Sequence, residues 1–316
     1  MDGYMPQDLG RRRTLKAAIG CVGVGVHSGR RVSLSLHPAI PGTGILFRRK
    51  DLGGLEVAAR WDNVVDTRLC TVLGDPTRPE IRIGTVEHVM AALAGCGIDD
   101  AIIELDGPEV PILDGSAAPF VFLIDCAGTT TRAGMAEVLE VMRPIRVQEG
   151  AAWAELLPNG GDRFEGSFEI DFNAGAIGRQ HCAERLTPHA FRTGLASART
   201  FALAEDVEAL RAAGLALGGD LTNAVVVEGD RVLNPGGLRR PDEFVRHKLL
   251  DAVGDLALAG APLRARFTGH RSGHALNNRL LRKLFADRSA WRLVSAALVG
   301  EGSMARLPAA AAPAVL

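Results

Sequence analysis

Three stretches of this 316-residue chain carry side chains that could activate water at a metal ion. In DEFVRHKLLDAVGDLALAG, His247 and Asp251 stand four residues apart. Each helical residue advances about 100°, so an i, i+4 pair points to one side. Lys248 and Asp255 fall on the same face, opposite an apolar arc that includes Phe244, Leu249, Leu250, Val253 and Leu256. Two ligands of one metal would be spaced this way. A solvated polar face with one i, i+4 pair would be too. In GTVEHVMAALAGCG, Glu87 precedes His88. Neighbours cannot both be well-placed ligands of one ion, so a His ligand beside a Glu base is the natural chemical reading. A first-turn Glu that favours the helix dipole accounts for the pair equally well. In GHRSGHALNNRLL, His274 opens a helix after Gly273. The dipole opposes its charge while a carboxylate such as Asp255 would restore it, so the ring is expected to titrate near neutrality. His270 competes for that role from a strand end.

The elements that must position these groups follow from periodicity. Residues 14–74 read as short strands broken by turns, among them RVSLSLHPA and GILFRR. The apolar run Ala17–Val26 reads as a buried strand. Val86, Val89, Met90 and Leu93 form an i, i+3, i+4, i+7 stripe, with Thr85 as the expected N-cap and Gly95 or Gly97 as the stop. AIIELDG is a strand. SAAPFVFLIDCAG is a second helix with Pro119 in its first turn. Strands are expected from Val138 to Phe172, a helix over about Asp242–Ala259, a strand at LRARFTG, and a helix from His274 to Phe285.

The two halves repeat one plan. His88 to His247 is 159 residues and Ser116 to His274 is 158. This predicts an α+β fold of two duplicated two-layer domains, residues 1–133 and 134–304, divided near the small, polar TTTRAGM. Residues 201–235 interrupt the second domain as an insert with a helical piece, a Gly218-Gly219 turn and the strand NAVVVEG. Residues 305–316 form a low-complexity tail expected to be disordered. Equivalent helices facing each other across a pseudo-twofold interface would bring His88 to His247 and Asp251. Two His and one Asp with an open fourth position suit a catalytic zinc.

Composition excludes several classes. Lys and Arg number 36 against 37 Asp and Glu, a net charge of −1, which argues against a protein built to neutralise nucleic-acid phosphates. A non-catalytic RNA-binding pair of α+β domains is thereby disfavoured. Only Lys16, Lys50, Lys248 and Lys283 are lysines, so Lys248 stands out where Arg is the habitual cation. The five cysteines are widely spaced without C-x-x-C, which suits reduced thiols in a cytosolic protein. No signal-peptide core and no apolar run of membrane-spanning length is present, so stable membrane insertion is not expected.

TVEHVMAALAGCGIDDAIIELDGPEVPILDGSAAPF, SARTF, DEFVRHKLLDAVGDL and SGHALNN, with GVGVHSG near the start, closely resemble the UDP-3-O-acyl-N-acetylglucosamine deacetylases. These are the zinc hydrolases of lipid A, and hence lipopolysaccharide, biosynthesis in Gram-negative bacteria. The resemblance runs in order from about Thr14 to Phe285. It implies helices of both domains packed between two sheets, and a monomeric cytoplasmic enzyme acting on a small-molecule acylated UDP-aminosugar. It implies zinc on His88, His247 and Asp251, Glu87 as general base, and His274 as general acid steered by Asp255. Thr200 would stabilise the oxyanion with the metal, and Lys248 would contact substrate near the reacting group. The insert would form an apolar passage for the acyl chain, lined by Phe201, Val207, Ala216 and Val226. Asp171, Phe172 and Arg271 would meet the UDP end. Cys70 and His27 would lie near the cleft without an assigned step. The tail's apolar end, PAVL, would be a regulatory protease's address. A zinc amidohydrolase acting on another acylated amine is the competing expectation.

Overall fold

The computed structural model describes residues 10–297. The tail expected to be disordered and to address a protease lies outside the described residues.

The chain is α+β. The first half builds a five-stranded sheet in the spatial order Ile19–Val24, Arg31–Pro38, Ala101–Leu105, Ile45–Arg49, Leu55–Ala58. Its central strands alternate, sending Val32, Leu34, Leu36, Phe47 and Ile103 into the core. The second half builds a seven-stranded sheet around Leu263–His270. That strand takes Ala152–Pro158 antiparallel on one side and Glu165–Asp171 parallel on the other.

Among the described residues, six α-helices accompany the sheets: α1 (Glu87–Cys96), α2 (Ala118–Ala127), α3 (Pro188–Ala190), α4 (Ala204–Ala212), α5 (Glu243–Ala257) and α6 (His274–Ala286). Helix α2 packs on the first sheet's edge strand and on α1, whereas α5 packs on the second sheet and on α6. Helices α1 and α5 pack against each other, so α1, α2, α5 and α6 lie between the two sheets. This burial on all sides explains why α1 hides nearly its whole length, including Glu87 and His88.

Two expectations are corrected. Ile19–Val24 is an edge strand alternating between half-buried and exposed, with Val22 and Val24 exposed, because only Arg31–Pro38 pairs with it. Thr85 does not cap α1. Its φ of +57° turns the chain into the helix, Val86 takes the cap position, and the Thr85 hydroxyl donates instead to Glu109 Oε1 at 3.0 Å. TTTRAGM, near which the division between the halves is expected, forms the strand Thr129–Met135, which pairs antiparallel with Arg11–Leu15.

The segment read as an insert forms a small sheet of its own, Phe201–Leu203, Val225–Glu228 and Arg231–Val232, flanked by α4. Among the described residues, no helix is long and apolar enough to cross a membrane.

Candidate metal centre and active site

The face of α5 that sequence alone could read as solvated is buried against α1. His88, His247 and Asp251 are each at most 3% exposed. The helices come close because Gly254 has no side chain to hold them apart and because Ala91 and Ala92 are small. His88 Nε2 lies 3.5 Å and His247 Nε2 3.3 Å from Asp251 Oδ1, and the two rings meet edge to face at 5.0 Å. Candidate ligand atoms of all three lie within 4.8 Å of one another.

The donor set fits a cation. Asp251 Oδ2 accepts from Lys248 Nζ at 2.7 Å, while Oδ1 is buried with no hydrogen-bond donor. Leaving a buried carboxylate oxygen unpaired is costly, and a metal would satisfy it. His247 Nδ1 lies 3.0 Å from the Ala198 carbonyl, which can only accept. Nδ1 therefore carries the proton, and Nε2 turns its lone pair toward Asp251. Burial pushes the His247 ring down to about 3, keeping it neutral as a ligand must be. Burial alone would raise Asp251, but His247 and Lys248 hold it well below the usual carboxylate range.

Beside this cluster stand Glu87 and His274. Burial raises the Glu87 pKa, favouring a group able to take a proton. The strand Leu263–His270 turns through Arg271 and delivers His274 at the start of α6. His274 Nδ1 lies 2.9 Å from Asp255 Oδ2, which also accepts from Asn277 Nδ2 at 2.8 Å. Burial opposes the His274 charge, but Asp255 and Glu87 outweigh it and raise its pKa to about 9. The expected titration near neutrality is thus corrected: the neighbouring buried carboxylates, Asp255 foremost, outweigh burial of the ring.

Glu87, His88, His247, Lys248, Asp251, His274 and Thr200 line one cavity of about 400 Å³. The same cavity continues over Phe201, Val207, Ala216 and Val226, the four residues anticipated from the insert, and over Leu210 and Leu221. The insert reaches the first half of the chain through Leu217 N to His27 O at 3.3 Å and Gly218 N to Val26 O at 3.0 Å. Cys70 and His27 line the cavity too. Burial, with Glu87 beside it, pushes the Cys70 thiol up to about 12, so it stays protonated.

Asp171, Phe172 and Arg271 line a separate hollow with Glu205 and Glu208. Arg271 Nη2 donates to the Asp171 carbonyl at 3.1 Å. The two hollows adjoin at Phe172 and Phe201, whose rings meet edge to face at 5.5 Å. His270 lies outside both, stacked on Trp153 beside Glu169.

Sequence reasoning missed the groups that hold these side chains. The Ala198 carbonyl orients His247, yet no side-chain pattern announces a carbonyl. Glu243 is fully buried, receives the Arg199 guanidinium at 2.8 Å, and so ties SARTF to the start of α5. Glu109 accepts the amides of His27 and Ser28 and fixes that loop at the cavity wall. Nothing in the sequence around Glu109 or Glu243 marks either acid as buried, so no signal in residue order could have found them.

Residues 12–286 match the family described as UDP-3-O-acyl N-acetylglycosamine deacetylase. A UDP-3-O-acyl-N-acetylglucosamine deacetylase of Acidithiobacillus ferrooxidans is 50% identical over 287 residues, 90% of this chain and 93% of that protein. Proteins of the same name from Shewanella frigidimarina and Shewanella sp. (strain W3-18-1) are each 48% identical, over 90% of this chain and 92% of theirs.

Proposed function

The chain belongs to the UDP-3-O-acyl-N-acetylglucosamine deacetylase family, and from that premise we propose that it hydrolyses the acetamide of UDP-3-O-((3R)-3-hydroxyacyl)-N-acetylglucosamine to free amine and acetate. The observation that carries this reading is one continuous cavity: a His/His/Asp cluster with an acid and a base at one end, apolar insert residues at the other.

His88, His247 and Asp251 would hold the metal, and two imidazoles with one carboxylate suit zinc. When bound, zinc supplies Lewis acidity, polarising the carbonyl and lowering the pKa of water. Glu87 takes the proton of the attacking water. Thr200 donates its hydroxyl to the oxygen that becomes negative as the carbon turns tetrahedral, and Lys248 adds positive charge nearby. His274, with Nδ1 tied to Asp255, presents Nε2–H to the departing nitrogen. The C–N bond breaks, the amine leaves with that proton, and acetate remains. The insert residues Phe201, Val207, Ala216 and Val226 shield the acyl chain. Asp171, Phe172 and Arg271 lie across the Phe172–Phe201 contact, where the nucleotide end would reach them.

Turnover on this substrate, with metal analysis of the same sample, tests the proposal. About one zinc per chain and release of acetate are expected for a single catalytic site. Retained metal with no release of acetate from it would instead favour an amidohydrolase for another acylated amine.

A further inference from the structure

One residue touches both proton-handling ends of the site. Thr71 follows Cys70, just before the strand Val72–Asp75, and is almost wholly buried. Its amide donates to Glu87 Oε2 at 3.1 Å, and its hydroxyl donates to Asp255 Oδ1 at 2.5 Å. Its carbonyl accepts the Val86 amide at 3.4 Å, which ties it to the approach to α1. Glu87 belongs to α1 and Asp255 to α5, so Thr71 joins two helices that come from opposite halves of the chain.

From this geometry we propose that Thr71 is a positioning residue, setting the general base Glu87 and the acid's partner Asp255 in register across the α1–α5 junction. It acts through these carboxylates and only if the deacetylase chemistry above holds. The hydroxyl has one proton, and an ionised Asp255 can only accept. Oδ2 already receives His274 Nδ1 and Asn277 Nδ2, so Thr71 supplies the donor that faces Oδ1. With both oxygens held, the carboxylate cannot rotate, and the His274 ring keeps its Nε2 aimed into the cavity. Without the hydroxyl, Oδ1 is buried and unpaired, the carboxylate can turn, and His274 turns with it. The β-branched side chain adds stiffness, since Thr holds a narrower choice of χ1 than Ser.

A space-filling role predicts something different. Valine has nearly the volume of threonine, so it would serve a packing site without kinetic loss. The amide bond to Glu87 survives any side-chain change, so Thr71→Val isolates the Asp255 arm.

The test measures kcat and KM of the zinc-loaded enzyme on UDP-3-O-(3-hydroxyacyl)-N-acetylglucosamine for wild type, Thr71→Val, Thr71→Ser, Asp255→Asn and the Thr71→Val/Asp255→Asn double variant. Melting temperature and metal content are read on the same samples, and Thr71→Ala replaces Thr71→Val should the latter not fold. Thr71→Val is expected to lower kcat about 10–100-fold, the usual effect of removing an outer partner, with KM and metal content unchanged. Thr71→Ser should recover most of the rate. In the Asp255→Asn background the valine should cost nothing further, because its path of action is already cut. Wild-type kcat in Thr71→Val, failure of serine to rescue, or a full multiplicative loss in the double variant would each overturn the assignment. A wild type that leaves this substrate intact would refute the deacetylase reading first, and Thr71's role with it.

Discussion

Gly254 lies so close to Glu87 that a Cβ on it would stand 2.0 Å from the Glu87 carbonyl oxygen. A backbone atom cannot swing aside as a long side chain can. This contact sets the spacing of α1 and α5, and through it the distance from His88 to Asp251.

Gly254→Ala should therefore do more than fill space. Overpacking a tight core contact costs about 1–3 kcal/mol. Here it also pushes apart helices that each carry candidate ligands. Chemical denaturation should show that loss, and elemental analysis should show reduced metal per chain. A variant with unchanged midpoint and full metal would mean the helices have slack at this point.

Metal binding and water activation should separate genetically. His247→Ala removes a proposed ligand and should abolish tight zinc binding. Glu87→Gln leaves the ligand set intact and should keep zinc and substrate while the rate falls about 10²–10⁴-fold, the usual contribution of a positioned base. Full zinc occupancy in the first variant, or near-normal turnover in the second, would remove that residue from its role.

The pH dependence follows from His274. Its pKa is raised to about 9, and in the proposed role of general acid it must be protonated to donate to the leaving nitrogen. Activity that depends on this proton is present below that pKa and lost as pH rises through it. The alkaline limb of kcat/KM should thus fall near pH 9. Asp255 and Glu87 are the groups that raise the value against burial. Asp255→Asn removes one negative charge, so His274 gives up its proton more easily and the limb should move to lower pH. A limb that stays in place would mean another group sets it.

The acyl chain should contribute to turnover as well as to affinity. Burying each methylene is worth about 0.8 kcal/mol, so several can supply the energy that holds the acetamide in place. UDP-N-acetylglucosamine lacking the 3-O-acyl group should be deacetylated with kcat/KM lower by orders of magnitude. Val226→Asp puts a carboxylate into the apolar end of the cavity and should shrink that preference by penalising the acylated substrate. Equal kcat/KM for both substrates in the wild type would count against the passage.

Much of the site was legible in residue order. His247, Lys248, Asp251 and Asp255 share a face because a helix turns about 100° per residue, and that needs no tertiary information. The near-constant offsets of 159 and 158 residues placed His88 opposite His247. The helix boundaries were also close, since α5 and α6 begin and end within a few residues of their apolar patterns. What the tertiary structure decided is whether that polar face meets water or another helix, because periodicity records which residues share a side and never what lies beyond it. The packing of α1 on α5 buries the face, strips water from Glu87 and His274, and sets two carboxylates against the imidazole, so a ring expected near neutrality is raised to about 9. Long-range partners stayed hidden for the same reason. Thr71 and Asp255 are 184 residues apart, and the Ala198 carbonyl carries no side-chain signature. A hydrogen bond between distant segments depends on the path of the whole chain, which is fixed only when both sheets close over the helices between them.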